Sequence, residues 1–116
     1  MSQSNQLTPA QLTSFGKLTG NTETTIYTAQ SATFVRSLMV CDNAGGTPNL
    51  TIVVHDGTNA YYKRRAIALL AGTEAIYSEP FMLPQGWTIR LTSSALAGAV
   101  DWALTYDDPD ASGRGR

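Results

Sequence analysis

Apolar and polar positions along this chain alternate with period two. Between Val100 and Tyr106, the apolar residues Val100, Trp102, Leu104 and Tyr106 alternate with Asp101, Ala103 and Thr105. Successive strand side chains point to opposite faces, so this pattern predicts a half-buried strand with one face on a core. Trp87 to Thr92 repeats it, with Trp87, Ile89 and Leu91 inward and Thr88, Arg90 and Thr92 outward. Thr24 to Thr28 is a further strand. Thr33 to Cys41 carries Phe34, Val35, Leu38, Met39 and Val40, apolar on both faces, which predicts a central or doubly covered strand. Leu50–His55 and Ala60–Arg64 flank Asp56-Gly57-Thr58-Asn59, a hairpin signal because Gly57 accepts the positive φ of a tight turn. Ala66 to Ala71 reads as an extended link, Thr73 to Glu79 as a strand closed by Pro80, and Leu83-Pro84-Gln85-Gly86 as a turn.

No stretch has helical periodicity. Seven or eight strands with short loops predict an all-β antiparallel β-sandwich, jelly-roll or immunoglobulin-like. The expected boundaries are an N-terminal arm over 1–14, the sandwich over 15–108 and a flexible C-terminal tail over 109–116. The core is expected to bury Trp87, Ile89, Leu91, Val100, Trp102 and Leu104. The two ends, 1–14 and 107–116, lack alternation and are expected to act as docking arms.

Composition narrows the function classes. At 116 residues the chain makes one domain with one modest core. Its 8 Lys and Arg against 9 Asp and Glu leave a net charge of −1, so no global basic field recruits nucleic acid. No window reaches the roughly 18 apolar residues of a membrane span, and the first residues lack the pattern of a signal peptide. Cys41 is the one cysteine, which excludes an internal disulfide and fits synthesis in a reducing cytoplasm. Low charge with abundant Thr, Ser, Ala and Gly suits a surface that packs on other protein.

Candidate chemistry is sparse. His55 is the one histidine and ends a strand beside a turn, as a rim residue does. Cys41 lies in an apolar strand and reads as a buried small hydrophobe. Asp107, Asp108 and Asp110 lack the spacing and turn glycine of a calcium loop and read as a solvated strand end. No catalytic residue, cofactor site or metal site is assigned, and an enzyme is the least favoured class. The basic cluster Lys63-Arg64-Arg65 follows Tyr61 and Tyr62, so single-stranded nucleic acid must be weighed. A charged edge strand or an interface is the better reading of so short a run. Arg114 and Arg116 form a second, smaller basic element. The candidate protein-interface residues are therefore Tyr61, Tyr62, Lys63, Arg64, Arg65, Arg114 and Arg116.

Gly72 to Tyr77, followed by Phe81-Met82-Leu83-Pro84-Gln85-Gly86-Trp87-Thr88-Ile89-Arg90-Leu91-Thr92-Ser93-Ser94, resembles small β-sandwich virion structural proteins of tailed bacteriophages. In that family a "leucine, proline, x, glycine, x, x, isoleucine, arginine" segment recurs. Val35 to Asn43 is similar to the family's second strand and Asn-bearing loop, and the resemblance covers about residues 23 to 107. Trp87 departs from the acidic residue expected after the glycine. The resemblance implies a non-enzymatic virion protein, made in the host cytoplasm and present in many copies. It implies a head decoration or cement protein, a homo-oligomer with a trimer favoured, bound to the major capsid protein or other virion proteins, with no nucleic acid, membrane or cofactor. A tail, neck or fibre-base component is the alternative within the class. A carbohydrate-binding sandwich stacking sugars on Tyr61, Tyr62, Trp87 and Trp102 is the alternative outside it.

Overall fold

The computed structural model describes residues 10–18, 21–42, 48–68, 74–94 and 100–108. These residues form nine strands: β1 (Ala10–Leu18), β2 (Thr24–Thr28), β3 (Thr33–Asp42), β4 (Asn49–His55), β5 (Ala60–Ala68), β6 (Glu74–Tyr77), β7 (Phe81–Leu83), β8 (Thr88–Ser93) and β9 (Val100–Asp108). One sheet runs β1-β9-β3-β6, with β7 pairing the other end of β3; the second runs β2-β8-β4-β5. All pairings are antiparallel.

The pairing pattern selects between the two expected topologies. β1 pairs β9, β2 pairs β8, β3 pairs β6 and β7, and β4 pairs β5. A single long ribbon folded at the β4–β5 hairpin and rolled into two sheets produces this set, which is the jelly-roll path. At the fold of the ribbon, Asp56 accepts the Thr58 and Asn59 backbone N–H groups at 2.8 and 2.7 Å, while Gly57 takes a φ of 101°. Those two bonds hold the Asp56 carboxyl below the usual carboxylate range.

The core lies between the sheets. Val35, Leu38, Val40, Leu83, Val100, Leu104 and Tyr106 from one side meet Leu50, Ile52, Val54, Ile89 and Leu91 from the other. β3 is central, as its dense apolar content predicts. Trp87 and Trp102 differ from expectation. Both pack against the core yet remain half-buried.

The strand at the start of the sandwich also differs. β1 begins at Ala10, so 10–14 belong to the sheet and not to an arm, and nine consecutive pairs join them to β9 from Ala10↔Asp108 to Leu18↔Val100. Its inner row is Leu12, Ser14, Gly16 and Leu18, in which two members are not apolar. Ser14 Oγ sits 3.3 Å from the Tyr106 hydroxyl, and Gly16 lies under the Trp102 ring. The partners across the strand pair supply the apolar mass, which removes the alternation from the sequence itself. Residues 1–9 and 109–116 lie outside the described residues.

β5 departs from a regular strand twice. Its register with β4 shifts between Leu50 and Ile52 and again between Ile52 and Val53, leaving Lys63 as an extra residue between Arg64 and Tyr62. Such bulges bend a strand and re-aim its side chains. At the first shift Ala66 has a φ of 53°, in the left-handed region, and its N–H donates to Thr51 Oγ1 at 3.0 Å. That conformation costs a residue with a Cβ about 1–2 kcal/mol. Ala66→Gly is expected to raise stability by roughly 0.5–1 kcal/mol, the relief being partly offset by glycine's greater freedom when unfolded. A rise in the urea midpoint at unchanged slope checks it.

Candidate interaction surfaces

The candidate residues of β5 divide between two places. Lys63 and Arg64 are consecutive, yet both turn toward the open side of the sandwich, as the bulge at Lys63 allows. Lys63 Nζ lies 4.7 Å from the centre of the Phe81 ring, and the Arg64 guanidinium lies 5.1 Å from that of Tyr77. Arg64 also bonds Glu79 and donates to the Lys63 carbonyl at 2.8 Å. These contacts tie the edge of one sheet to the split edge, β6 and β7, of the other. Below them an apolar cavity of about 30 Å³ is lined by Val35, Leu38, Ile52, Val54, Ile89 and Leu104. It has room for one or two methyl-sized groups, far short of the several hundred cubic ångströms of a ligand pocket. Burial raises the Tyr77 hydroxyl above its ordinary pKa, with the Arg64 charge opposing that shift.

Tyr62 and Arg65 form a separate pair, with the guanidinium 4.7 Å from the ring centre and both side chains exposed. Tyr61 turns to the rim instead. Its ring stacks on Trp87 at 5.7 Å and 8°, and its hydroxyl donates to Asp56 at 3.0 Å, which raises the hydroxyl's pKa. Arg114 and Arg116 lie outside the described residues. Within the cluster, then, Lys63 and Arg64 are engaged inside the fold, and Tyr62 with Arg65 faces outward.

The remaining candidate residues are local structure. His55 Nδ1 accepts the Gly57 N–H at 2.9 Å. Cys41 is half-buried and sits in register with Asp101 and Glu74, in the outward row and not in the core. Asp107 and Asp108 are the last residues of β9 and not a solvated strand end. Asp107 Oδ2 lies 2.6 Å from an Arg36 nitrogen, and the buried Asp108 accepts the Ser31 hydroxyl at 3.2 Å. Among the described residues no three His, Cys, Asp or Glu side chains gather as a metal site.

A surface that sequence reasoning missed lies on the outer face of the β1-β9-β3-β6 sheet. Register places Phe15, Ala103, Met39 and Ile76 side by side across four strands. Beyond an intervening polar row of Thr13, Thr105 and Ser37, a further row ends in Phe34 and Met82. Phe15, Ile76 and Met82 are 74 %, 59 % and 54 % exposed, the most exposed large hydrophobics among the described residues. Scattered apolar residues are ordinary on a surface, whereas a run across a whole sheet marks a contact site. The four members come from strands distant in sequence, so only strand register reveals the row.

No family model matches the chain, and no curated protein matches its sequence. Solved structures do resemble it. A subunit of Bacillus endospore appendages, a family of disulfide-linked pili, aligns with a TM-score of 0.59 at 20% identity, over 87% of this chain and 88% of that one. A pentameric capsid protein from metagenomic phage sequences aligns with a TM-score of 0.50 at 16% identity, over 90% and 66%. A chain of the T13 particle of infectious bursal disease virus aligns with a TM-score of 0.52 at 13% identity, over 84% and 31%. The chain thus spans nearly all of the appendage subunit, under two-thirds of the phage capsid protein and about a third of the other viral chain. At these identities the likeness is one of fold. Its structural neighbours include phage and viral capsid proteins as well as a pilus subunit.

Proposed function

We propose that the chain is a structural subunit of a phage particle, a decoration or cement protein that binds the head lattice as a small oligomer. The observation that carries this reading is the apolar row Phe15–Ala103–Met39–Ile76, laid across the outer face of one sheet, with Phe34 and Met82 further along the same face. It suits burial against protein. The fold neighbours named for capsids and pili support the reading, because each is a subunit of an assembly. The strand and turn segments resemble tailed-phage virion proteins, and among the roles of such proteins head decoration is the one preferred here. The exposed Tyr62 and Arg65 pair and the segments 1–9 and 109–116 are further points of attachment in this reading, with Arg114 and Arg116 suited to an acidic groove. The sugar-binding alternative fares less well. Trp87 is stacked on Tyr61 and Trp102 lies over Gly16, so each tryptophan already has a face covered.

The test is attachment to heads that lack decoration, measured by co-sedimentation. The full chain is expected to bind saturably, with sub-stoichiometric binding to isolated tails. Ile76→Glu with Met82→Glu alters exposed positions, so the melting temperature should stay within a few degrees while head binding falls at least tenfold. Binding to tails alone would transfer the protein to the tail or neck. Glycan binding with no particle attachment would overturn the structural reading.

A further inference from the structure

The four edges of the sandwich are not alike. Edge strands expose unpaired N–H and C=O groups, and proteins blunt them with bulges, short lengths or charges. β5 has two bulges, a left-handed residue and three consecutive cations. β2 has five residues and a bulge between Thr25 and Tyr27. The fourth edge is split into β6, of four residues, and β7, of three. β1 has neither a bulge nor a short length. Its nine residues run in unbroken register with β9, so their backbone is straight, and Lys17 is its one charged residue. Phe15 stands 74 % exposed on its outer side and Leu12 36 % exposed on its inner side.

We propose that β1 pairs antiparallel with β1 of a second copy of this chain, fusing the two β1-β9-β3-β6 sheets across a two-fold axis. A straight edge pairs with another straight edge, and among the described residues the chain offers one on β1 alone. A two-fold pairing of like strands is also self-complementary by construction.

Charge selects the register. With Ser14 on the axis, Gln11 lies opposite the partner's Lys17, Thr13 opposite the partner's Phe15, and Leu12 opposite the partner's Gly16. Gln11 is itself in register with Asp107 of β9, on the outer face. The partner's Lys17 then stands about 10 Å, two strand spacings, from the Asp107 backbone, a gap that the two side chains close between them. Within each copy Arg36 already bonds Asp107, and Lys17 bonds Asp101 at 2.7 Å. Across the seam the outer face therefore reads Arg36, Asp107, the partner's Lys17, the partner's Asp101, alternating plus and minus. Asp107 Oδ1 is shielded from water and has no hydrogen-bond donor among the described residues, so an added cation nearby is favourable. A shift that placed Lys17 opposite its own counterpart would juxtapose like charges.

The inner face agrees. Gly16 has no side chain, and the Trp102 ring lies over it. The partner's Leu12 is directed at this position and is covered by the pairing, as is Phe15 on the other face. The seam also sets the two apolar rows on one face, offset by two residues, which deepens the structural-subunit reading on which this inference rests. The unit so built is a two-fold dimer, in place of the trimer that the family resemblance implies.

A ladder of nine residues buries less than the roughly 1,600 Å² of a standard interface, so the dimer should depend on concentration. Light scattering and sedimentation of the full chain between micromolar and millimolar concentrations are expected to show a monomer–dimer equilibrium. Leu12→Lys with Phe15→Lys should weaken dimerisation at least tenfold at unchanged circular dichroism. Register is read in a Cys41→Ser background. Ser14→Cys lies on the axis and should form an intermolecular disulfide under mild oxidation. Lys17→Cys lies about 20 Å from its counterpart and should not. A chain that stays monomeric, forms a trimer, or crosslinks at 17 in preference to 14 overturns the pairing. A monomer that still decorates heads overturns the pairing alone and leaves the virion reading standing. A Ser14→Cys dimer that fails to attach supports the pairing and counts against the virion reading.

Discussion

Leu104→Ala is expected to cost about 4 kcal/mol, toward the upper part of the range for truncating a buried leucine. Leu104 is fully buried in β9, the strand between β1 and β3, in register with Ser14 on one side and Leu38 on the other. The cost of such a truncation grows with the void that remains. Here the removed atoms adjoin the existing cavity of about 30 Å³, whose walls of Val35, Leu38, Ile52, Val54 and Ile89 come from three strands in two sheets. Walls held by two independent hydrogen-bonded ladders collapse poorly into new space. A domain of this size has on the order of 5–15 kcal/mol in total, so the loss should lower the melting temperature by on the order of 20 °C. Leu12→Ala is the matched control. It lies in the inner row of β1 but is 36 % exposed, and should cost below about 1 kcal/mol in the monomer. Urea unfolding of both at low protein concentration measures the contrast. Similar costs at the two sites would mean that the sheets do not enclose the core at Leu104.

The same strands explain how far the fold was legible in the sequence. β8 and β9 place nearly uninterrupted apolar rows inward, and a period of two is enough to find them. β1 defeats that rule because strand pairing divides the work of filling space. Where Gly16 sits, the bulk is Trp102 from the neighbouring strand; where Ser14 sits, it is Tyr106. β7 is three residues between Pro80 and Pro84, too short for any period to register. The jelly-roll path itself depends on which strands pair, and turn signals constrain only the β4–β5 hairpin.

The interaction residues follow the same division. The five residues Tyr61 to Arg65 are visible as a basic and aromatic run. Alternation alone would send Lys63 and Arg64 to opposite faces. The bulge turns both onto Phe81, Tyr77 and Glu79, so the run is in part an internal clasp between sheets. The outer row Phe15–Ala103–Met39–Ile76 had no signal in the sequence. Each member occupies a single outward position in its own strand. Register joins the exposed Phe15 and Ile76 through the half-buried Met39 and the buried Ala103 into one surface row.

The Gly16–Trp102 pair is the place where sequence, packing and assembly meet. Gly16→Val is expected to destabilise the monomer by about 2–3 kcal/mol, in the upper part of the usual range for overpacking. A Cβ at Gly16 would stand 2.4 Å from Trp102 Cζ2 and 2.6 Å from Cε2, inside any permitted contact. The obstacle is a rigid two-ring system that also packs on the core, so relief requires either swinging the ring out or peeling β1 from β9. Trp102→Ala removes the obstacle and, because Trp102 is half-buried, should itself cost less than the roughly 3–5 kcal/mol of a fully buried tryptophan. The two changes should then be strongly non-additive. In a Trp102→Ala background, Gly16→Val should become neutral or slightly stabilising, since valine suits a strand better than glycine and begins to fill the vacated space. A coupling of about 2 kcal/mol or more in the double-mutant cycle is the expected result. Additive costs would mean that the ring does not lie over Gly16. They would also remove the Trp102 surface that the partner's Leu12 is proposed to meet, so the stability cycle and the dimerisation measurement test one geometry from two directions.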